Sequence, residues 1–306
     1  MERIIRGMFA DAGVRGWLHV ADVHRPSAQV TIDADDIPVP VGSLYKVPVM
    51  AAFCRLVDAG AIDPRRRVAL ERADHVPGTT GISILHDPVS VSLRDLVTLM
   101  MTISDNTAGD TVLRHVGGAA VDGLCRDLGM PDTHILAGTA GTLAQLVADT
   151  EAQSLDDALT HIADNDATIP TGVYNPLSKA SSTPADMARL LHAIWTDQAA
   201  SAEGCAFMRD VMGREVWGHR LASGFPHDDV KVSGKTGTFG AMRHEAGVVE
   251  LADGSTYTAV VFTHAARADR KLPRADTVIG KVARAAIEEL WGTQDTTSHD
   301  AWPGAR

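Results

Sequence analysis

Residues 41–54 (VGSLYKVPVMAAFC) set Ser43 three positions ahead of Lys46 at the head of an apolar run. Positions i and i+3 share a helical face, so this spacing puts a hydroxyl beside an amine at the start of a helix. Two readings fit. A hydroxyl next to an amine is a nucleophile next to a base; equally, Ser43 is an ordinary N-cap after the loop 33–42, with Lys46 solvated. The pair alone does not choose between them.

Outward from this stretch, the apolar residues of 47–56 continue a buried helix that Gly60 closes, with Pro48 tolerable near the first turn. Upstream, residues 2–12 carry Ile4, Ile5, Met8 and Phe9 on one helical face, and 17–23 and 28–33 alternate as strands. Downstream, Ser92 and Asp95 form a capping-box-like opening for a helix through Thr102. A tight connection at 103–106 follows, then helices to Val116 and over 119–128, each stopped by glycine. From 137 to 182 the periodicity weakens, leaving two-turn helices at 142–147 and 155–162 and a loop at 170–176. A helix from 183 or 184 to 195 is well signalled, and helical patterns run over 206–221. The last third reads as strands at 230–238, 244–251 and 256–264, a helix at 277–291, and a flexible tail over 293–306. Strands at both ends with helices between them predict an α+β fold. Residues 1–35 and 216–306 build one antiparallel sheet flanked by terminal helices, and 36–215 form an inserted all-helical domain.

Composition narrows the function classes. With 28 basic against 39 acidic residues and a net charge of -11, the chain has no electrostatic footprint for nucleic acid. No stretch approaches the ~20 apolar residues of a membrane span, and the N-terminus lacks the unbroken apolar core of a secretory signal. Cys54, Cys125 and Cys205 fall in helical patterns as small buried hydrophobes, and the 13 histidines show no metal-ligand spacing. The expectation is a cytoplasmic, reduced protein without metal or cofactor, acting on a small molecule rather than on nucleic acid or a membrane.

Three short patterns stand in order: Ser43-x-x-Lys46, Ser104-Asp105-Asn106 and Lys235-Thr236-Gly237, at a helix start, on a loop between helices and on a strand. With residues 93–106, 182–184 and 224–226 as framework, the sequence resembles the class A β-lactamase-like serine hydrolases and penicillin-binding proteins over nearly its whole length. The resemblance implies the β-lactamase/transpeptidase-like fold and a role for each residue. Ser43 would be the acylated nucleophile and Lys46 its base, with a pKa lowered by burial and by the charge of Lys235. Ser104 would relay a proton to the leaving group, and Asn106 would orient Lys46 and a substrate amide. Lys235 and Thr236, beside Gly237, would anchor a substrate carboxylate, and the backbone N–H groups of Ser43 and Thr238 would form the oxyanion hole. Arg220, on the predicted helix leading to the Lys-Thr-Gly strand, and Arg243 are further candidates for a carboxylate, each equally readable as a structural arginine. His219 and His244 lie nearby in sequence without further support.

The departures matter as much. Class A β-lactamases carry Glu-x-x-Asn in the loop before the Thr-Pro helix, and that glutamate activates the deacylating water. Residues 169–182 contain no glutamate, Asn175 has Gly172 three positions before it, and Asp164 and Asp166 are shorter acids at another offset. The segment from Ser104 to Pro184 is also longer than the family's usual one, which implies a remodelled wall over the site. The expected function is a serine hydrolase or acyltransferase on an ester, amide or lactam in specialised metabolism, with Lys46 serving both half-reactions. The alternatives are a true β-lactamase with a non-standard deacylation base, and a protein that binds β-lactams or acyl ligands without turnover.

Overall fold

The computed structural model describes residues 1–35, 37–164, 172–175 and 179–293. The predicted tail beyond Thr293 and the acid Asp166 lie outside them. In chain order the helices are α1 (Glu2–Asp11), α2 (Lys46–Asp58), α3 (Leu93–Thr102), α4 (Asn106–Val116), α5 (Gly118–Asp127), α6 (Thr139–Asp149), α7 (Leu155–Ala163), α8 (Pro184–Trp195), α9 (Ala202–Met212) and α10 (Pro273–Gly292). The strands are β1 (Val14–Asp22), β2 (Gln29–Ile32), β3 (Val39–Pro40), β4 (Arg67–Leu70), β5 (Val89–Ser92), β6 (His134–Ile135), β7 (Ala180–Ser182), β8 (Lys231–Phe239), β9 (Met242–Glu250) and β10 (Thr256–Ala265).

Strands from the two ends of the chain pair antiparallel in the order β2-β1-β10-β9-β8. The central strands are buried along nearly their whole length, as expected of a sheet covered on both faces. On one face, α1 and α10 bring Ile5, Phe9, Ile279, Ala283 and Ile287 onto Leu18, Tyr257 and Val261. On the other, α8 leads into a second core whose axis is α2, where every residue from Lys46 to Cys54 is buried. A helix apolar on all sides belongs in the middle of a helical layer, and α2 is ringed by α3, α4, α5 and α9.

Most predicted elements stand within one or two residues of their expected bounds. The pattern over 206–221 does not form one helix: α9 ends at Met212, Gly213 follows, and Arg220 precedes a 3₁₀ turn at Leu221–Gly224 instead of lying on a helix. The β4–β5 pair was not legible in the sequence, because each strand is four residues long and half exposed. In the weakly periodic segment, α6 and α7 each extend beyond the two turns predicted.

Candidate active site

Ser43 lies in a 3₁₀ turn, Gly42–Tyr45, which runs directly into α2 at Lys46. With three residues per turn, positions i and i+3 eclipse, so the 3₁₀ start sets Ser43 in line with Lys46 along the helix axis. The turn is pressed onto β8. A Cβ at Gly237 would stand 2.4 Å from the Val41 carbonyl, and Gly42 has φ +52° with its Cα against the Thr238 backbone. Glycine at both positions lets the turn that carries Ser43 sit on the strand edge, with Gly42 against the Thr238 backbone.

Lys46 is fully buried, and its ammonium reaches the Ser104 carbonyl at 2.8 Å, Asn106 Oδ1 at 3.1 Å and Ser104 Oγ at 3.3 Å. Burial first, and the charge of Lys235 second, hold its pKa well below the ordinary lysine value. Ser104 sits in the left-handed region at φ +58°, a conformation costing about 1–3 kcal/mol in a non-glycine residue. It presents both its carbonyl and its hydroxyl to Lys46. Asp105 fixes that turn: it is fully buried, caps α4 at Ala108 N–H, and accepts from Ile82 N–H (2.7 Å) and the Ser83 hydroxyl (3.2 Å).

Asn106 spends its amide N–H on the Pro77 carbonyl (2.8 Å), while its Oδ1 also takes the Thr139 hydroxyl at 3.4 Å. Thr139 opens α6, whose first N–H groups, at Thr139 and Ala140, donate to Asp110 at 2.7 and 2.8 Å. The buried Tyr45 hydroxyl donates to the same Asp110 at 2.9 Å, and burial with that carboxylate pushes the phenol well above its ordinary range. The start of α6 is thus tied to the floor of the site through Tyr45 and Asp110. Neither was singled out in the sequence, where a tyrosine inside an apolar run and a helical aspartate carry no signal.

Lys235 and Thr236, on β8, meet a residue that sequence reasoning missed. Glu215 Oε1 accepts from Lys235 Nζ at 2.9 Å, from Thr236 N–H at 2.8 Å and from the Thr236 hydroxyl at 2.8 Å. Glu245, paired with Thr236 across β8 and β9, is buried behind them; its Oε2 accepts from Leu221 N–H at 2.8 Å. Burial and the neighbouring Glu215 push its carboxyl up to about 8.

Arg220 is buried with Nε on Asp276 (2.8 Å), Nη1 on the carbonyls of Gly237 (2.9 Å) and His244 (2.8 Å), and Nη2 on Thr238 Oγ1 (2.7 Å). It clamps the Lys-Thr-Gly strand from below. A Cβ on Gly280 of α10 would come within 2.5 Å of the Arg220 carbonyl, so this small residue seats the arginine's turn against the helix. Arg243 is also buried and donates to the backbone carbonyls of Gly240, Met242, Asp269 and Arg270, tying a loop to the end of β9. His244 is buried between Pro40 and Thr263, its pKa lowered to about 3 by desolvation, and is a neutral packing residue. His219 borders the cleft and stays half exposed.

These groups surround a cleft of about 860 Å³. Ser43, Ser104, Asn106, Thr236, Thr238, Arg220 and Arg243 line it, with Lys46 and Lys235 buried beneath the lining. From α6 and α7 the apolar Leu143, Leu155, Leu159 and Ile162 line it together with Thr139, Thr142 and Asp156, and Phe239 joins them from β8. Among the described residues, the carboxylates lining the cleft are Asp156, Asp269 and Asp276, and each faces an arginine: Arg270, Arg267 and Arg220. No group of three or more His, Cys, Asp or Glu side chains suited to a metal occurs among the described residues.

The sequence profile described as "Beta-lactamase enzyme family" matches residues 1–290. The chain belongs to the β-lactamase enzyme family. Among curated relatives it is 28% identical over 308 residues to the "Beta-lactamase regulatory protein BlaB" of Streptomyces cacaoi, covering 94% of this chain and 96% of that one. Among solved structures it is similar to a β-lactamase from Sphaerobacter thermophilus, with 25% identity, a TM-score of 0.75, and coverage of 94% and 97% of the two chains. PBP-A shares the fold at 19% identity and a TM-score of 0.73, with coverage of 96% and 97%. The α+β fold expected from the order of strands and helices, and from the resemblance, is therefore the fold of this class A β-lactamase-like chain. No described helix is long and apolar enough to cross a membrane.

Proposed function

We propose that the protein is a serine acyl-transfer enzyme in which Ser43 is acylated with Lys46 as general base, on an ester, amide or lactam. The observation that carries this reading is the environment of Lys46. It is an amine buried one 3₁₀ turn from Ser43, held by oxygen acceptors and kept toward its neutral form by desolvation and Lys235.

In the first half-reaction the Ser43 hydroxyl oxygen attacks the substrate carbonyl carbon as its proton passes to Lys46 Nζ. The carbonyl π pair moves onto oxygen, facing the backbone N–H groups of Ser43 and Thr238. Collapse of the tetrahedral intermediate restores the carbonyl and breaks the bond to the leaving group. That group takes a proton from Ser104 Oγ, which is replenished from Lys46 across their 3.3 Å contact. In the second half-reaction the acceptor attacks the acyl carbonyl carbon as its proton passes to Lys46 Nζ; collapse breaks the bond to Ser43 Oγ, which takes that proton back from Lys46. The described carboxylates lining the cleft are matched with arginines, so this step rests on Lys46, which supports slow release of the acyl group. The leucine-lined wall favours an apolar acyl portion.

A second reading is a non-turnover sensor of β-lactams or related acyl compounds. It is favoured by the similarity to a relative named as a β-lactamase regulatory protein. One experiment separates the two. The protein is incubated with a chromogenic cephalosporin and a p-nitrophenyl ester while product release and intact mass are followed, with Ser43→Ala as control. We expect ester turnover and, with the cephalosporin, at most slow acylation of Ser43. An adduct without turnover of either compound selects the sensor, and sustained cephalosporin turnover selects a β-lactamase. Identical behaviour of wild type and Ser43→Ala overturns the acyl-transfer reading.

A further inference from the structure

The carboxylate-anchoring corner of the cleft already holds a carboxylate of the chain itself. The Lys235 side chain is fully buried, and its three ammonium protons face Glu215 Oε1 at 2.9 Å, the Thr236 carbonyl at 3.1 Å and Thr236 Oγ1 at 3.3 Å. The single hydroxyl proton of Thr236 goes to the same Glu215 oxygen at 2.8 Å, as does the Thr236 backbone N–H. Thr236 borders the cleft and therefore turns a lone pair, not a proton, toward an incoming ligand.

The remaining cations are committed as well. Arg220 spends Nε, both Nη1 protons and one Nη2 proton on the partners given above, which leaves one Nη2 proton among the described contacts. Arg243 spends both terminal nitrogens on backbone carbonyls. Asp276 balances the arginines and Glu215 balances Lys235. The Glu215 side chain is only 5% exposed, and separating a buried pair of this kind leaves an uncompensated charge. A substrate carboxylate arriving here would have to displace Glu215 from three hydrogen bonds while standing close to its negative charge.

We infer that Glu215 is a specificity-determining residue that turns the cleft against acyl donors carrying a carboxylate on the leaving-group side. The substrate is an ester, thioester or amide uncharged at that position. Glu215 acts through Lys235 and Thr236 and is a positioning residue, not a catalytic one. This inference rests on the acyl-transfer reading and deepens it, because it names the charge of the substrate that the same site accepts.

The test uses two thioesters that differ in one charge: phenylacetylglycyl mercaptoacetate, with a free carboxylate on its leaving group, and its methyl ester. Thiol release is followed with a chromogenic disulfide. The wild type is expected to process the capped thioester at least tenfold better in kcat/KM. Glu215→Gln keeps the size and an acceptor for Thr236 while removing the charge, and should move the ratio of the two at least tenfold toward the free acid. Glu215→Asp, which retains a buried charge to oppose Lys235, shortens the reach to Thr236 and should move the ratio at least threefold in the same direction. A uniform loss on both substrates is what a merely structural role would give, and it overturns the inference, as does a wild type that prefers the free acid. The wild-type comparison stands even if a variant does not fold. If neither thioester turns over faster with wild type than with Ser43→Ala, the acyl-transfer reading itself fails. The inference is then decided by calorimetric binding of the same two compounds to Ser43→Ala and Ser43→Ala/Glu215→Gln, with the same tenfold shift required.

Discussion

Glu245→Gln should make the protein more stable, and increasingly so as the pH rises. Glu245 is 3% exposed on β9, accepts from Leu221 N–H, and lies close enough to Glu215 for that residue to raise its pKa. Its carboxyl is pushed up to about 8 from an ordinary 4.5. Between these values the folded state keeps a proton that the unfolded state has released. The folded state binds more protons there, so stability falls as pH rises through the window and levels off above about 8. Glutamine carries no such proton, yet its amide oxygen still serves Leu221. The advantage of the variant is therefore near zero at pH 4.5 and grows to a plateau. At about 1.4 kcal/mol per pH unit, the full window has a ceiling on the order of 5 kcal/mol. Desolvation of the glutamine amide offsets part of this, so a few kcal/mol at pH 9 is the working figure. At roughly 2–4 °C per kcal/mol, Tm should rise by about 5 °C or more at pH 9 and change little at pH 5. Urea midpoints and thermal melts of both proteins at pH 5, 7 and 9 provide the measurement. Curves that run parallel across that range would mean that Glu245 is ionised throughout, and the account of the Glu215–Glu245 pair would be refuted.

Three further changes probe the nucleophile's surroundings. Gly237→Ala forces a methyl against the Val41 carbonyl and should push the Ser43 turn off β8, slowing acylation on the order of 100-fold, read by p-nitrophenol release from the ester. Lys46→Arg keeps a cation but removes the base; acylation should fall by about 10²–10⁴-fold. In the wild type, acylation should decline on the acid side as Lys46 protonates, since its depressed pKa leaves the amine neutral only above that value, and a pH–rate profile checks this. Tyr45→Phe removes one donor from Asp110 and should lower stability by about 1 kcal/mol in urea denaturation, with acylation of Ser43 retained.

The fold was legible because its elements are marked by local chemistry that tertiary structure left undisturbed. Ser92 caps α3, Thr183 caps α8 ahead of Pro184, and glycines end α4 and α5 where the sequence says they should. The site was legible only as far as its motifs reached. Ser43, Lys46, Ser104 and Lys235 came from three patterns, and the structure brings all of them to one cleft or its floor. What surrounds them could not be read, because the partners are set by long-range packing. Glu215 lies 20 residues from Lys235, on an irregular segment after α9, and nothing in its neighbours' spacing distinguishes it from a solvated acid. Arg220 was misplaced onto a helix for the same reason: the apolar pattern over 206–221 continues, but Gly213 and the packing of its turn against Gly280 decide the backbone.

The two lysines show why those unread partners matter. Lys46 and Lys235 are both fully buried, and the charge of the second helps hold the first neutral. A buried ammonium costs free energy unless a counter-ion pairs it. Glu215 supplies that counter-ion at 2.9 Å, and Glu245, kept protonated, adds no second negative charge to cancel it. The acid that neutralises the anchor is thus the same acid that maintains the electrostatics of the base. Removing it should therefore perturb two functions at once. A carboxylate-bearing substrate gains a free anchor, while the nearby attraction that raises the Lys46 pKa, to which Glu215 contributes, is lost. The acid limb of the pH–rate profile in Glu215→Gln should then move to lower pH, for both charged and uncharged substrates. A limb that stays in place would separate the two roles and leave Lys46 governed by its other neighbours.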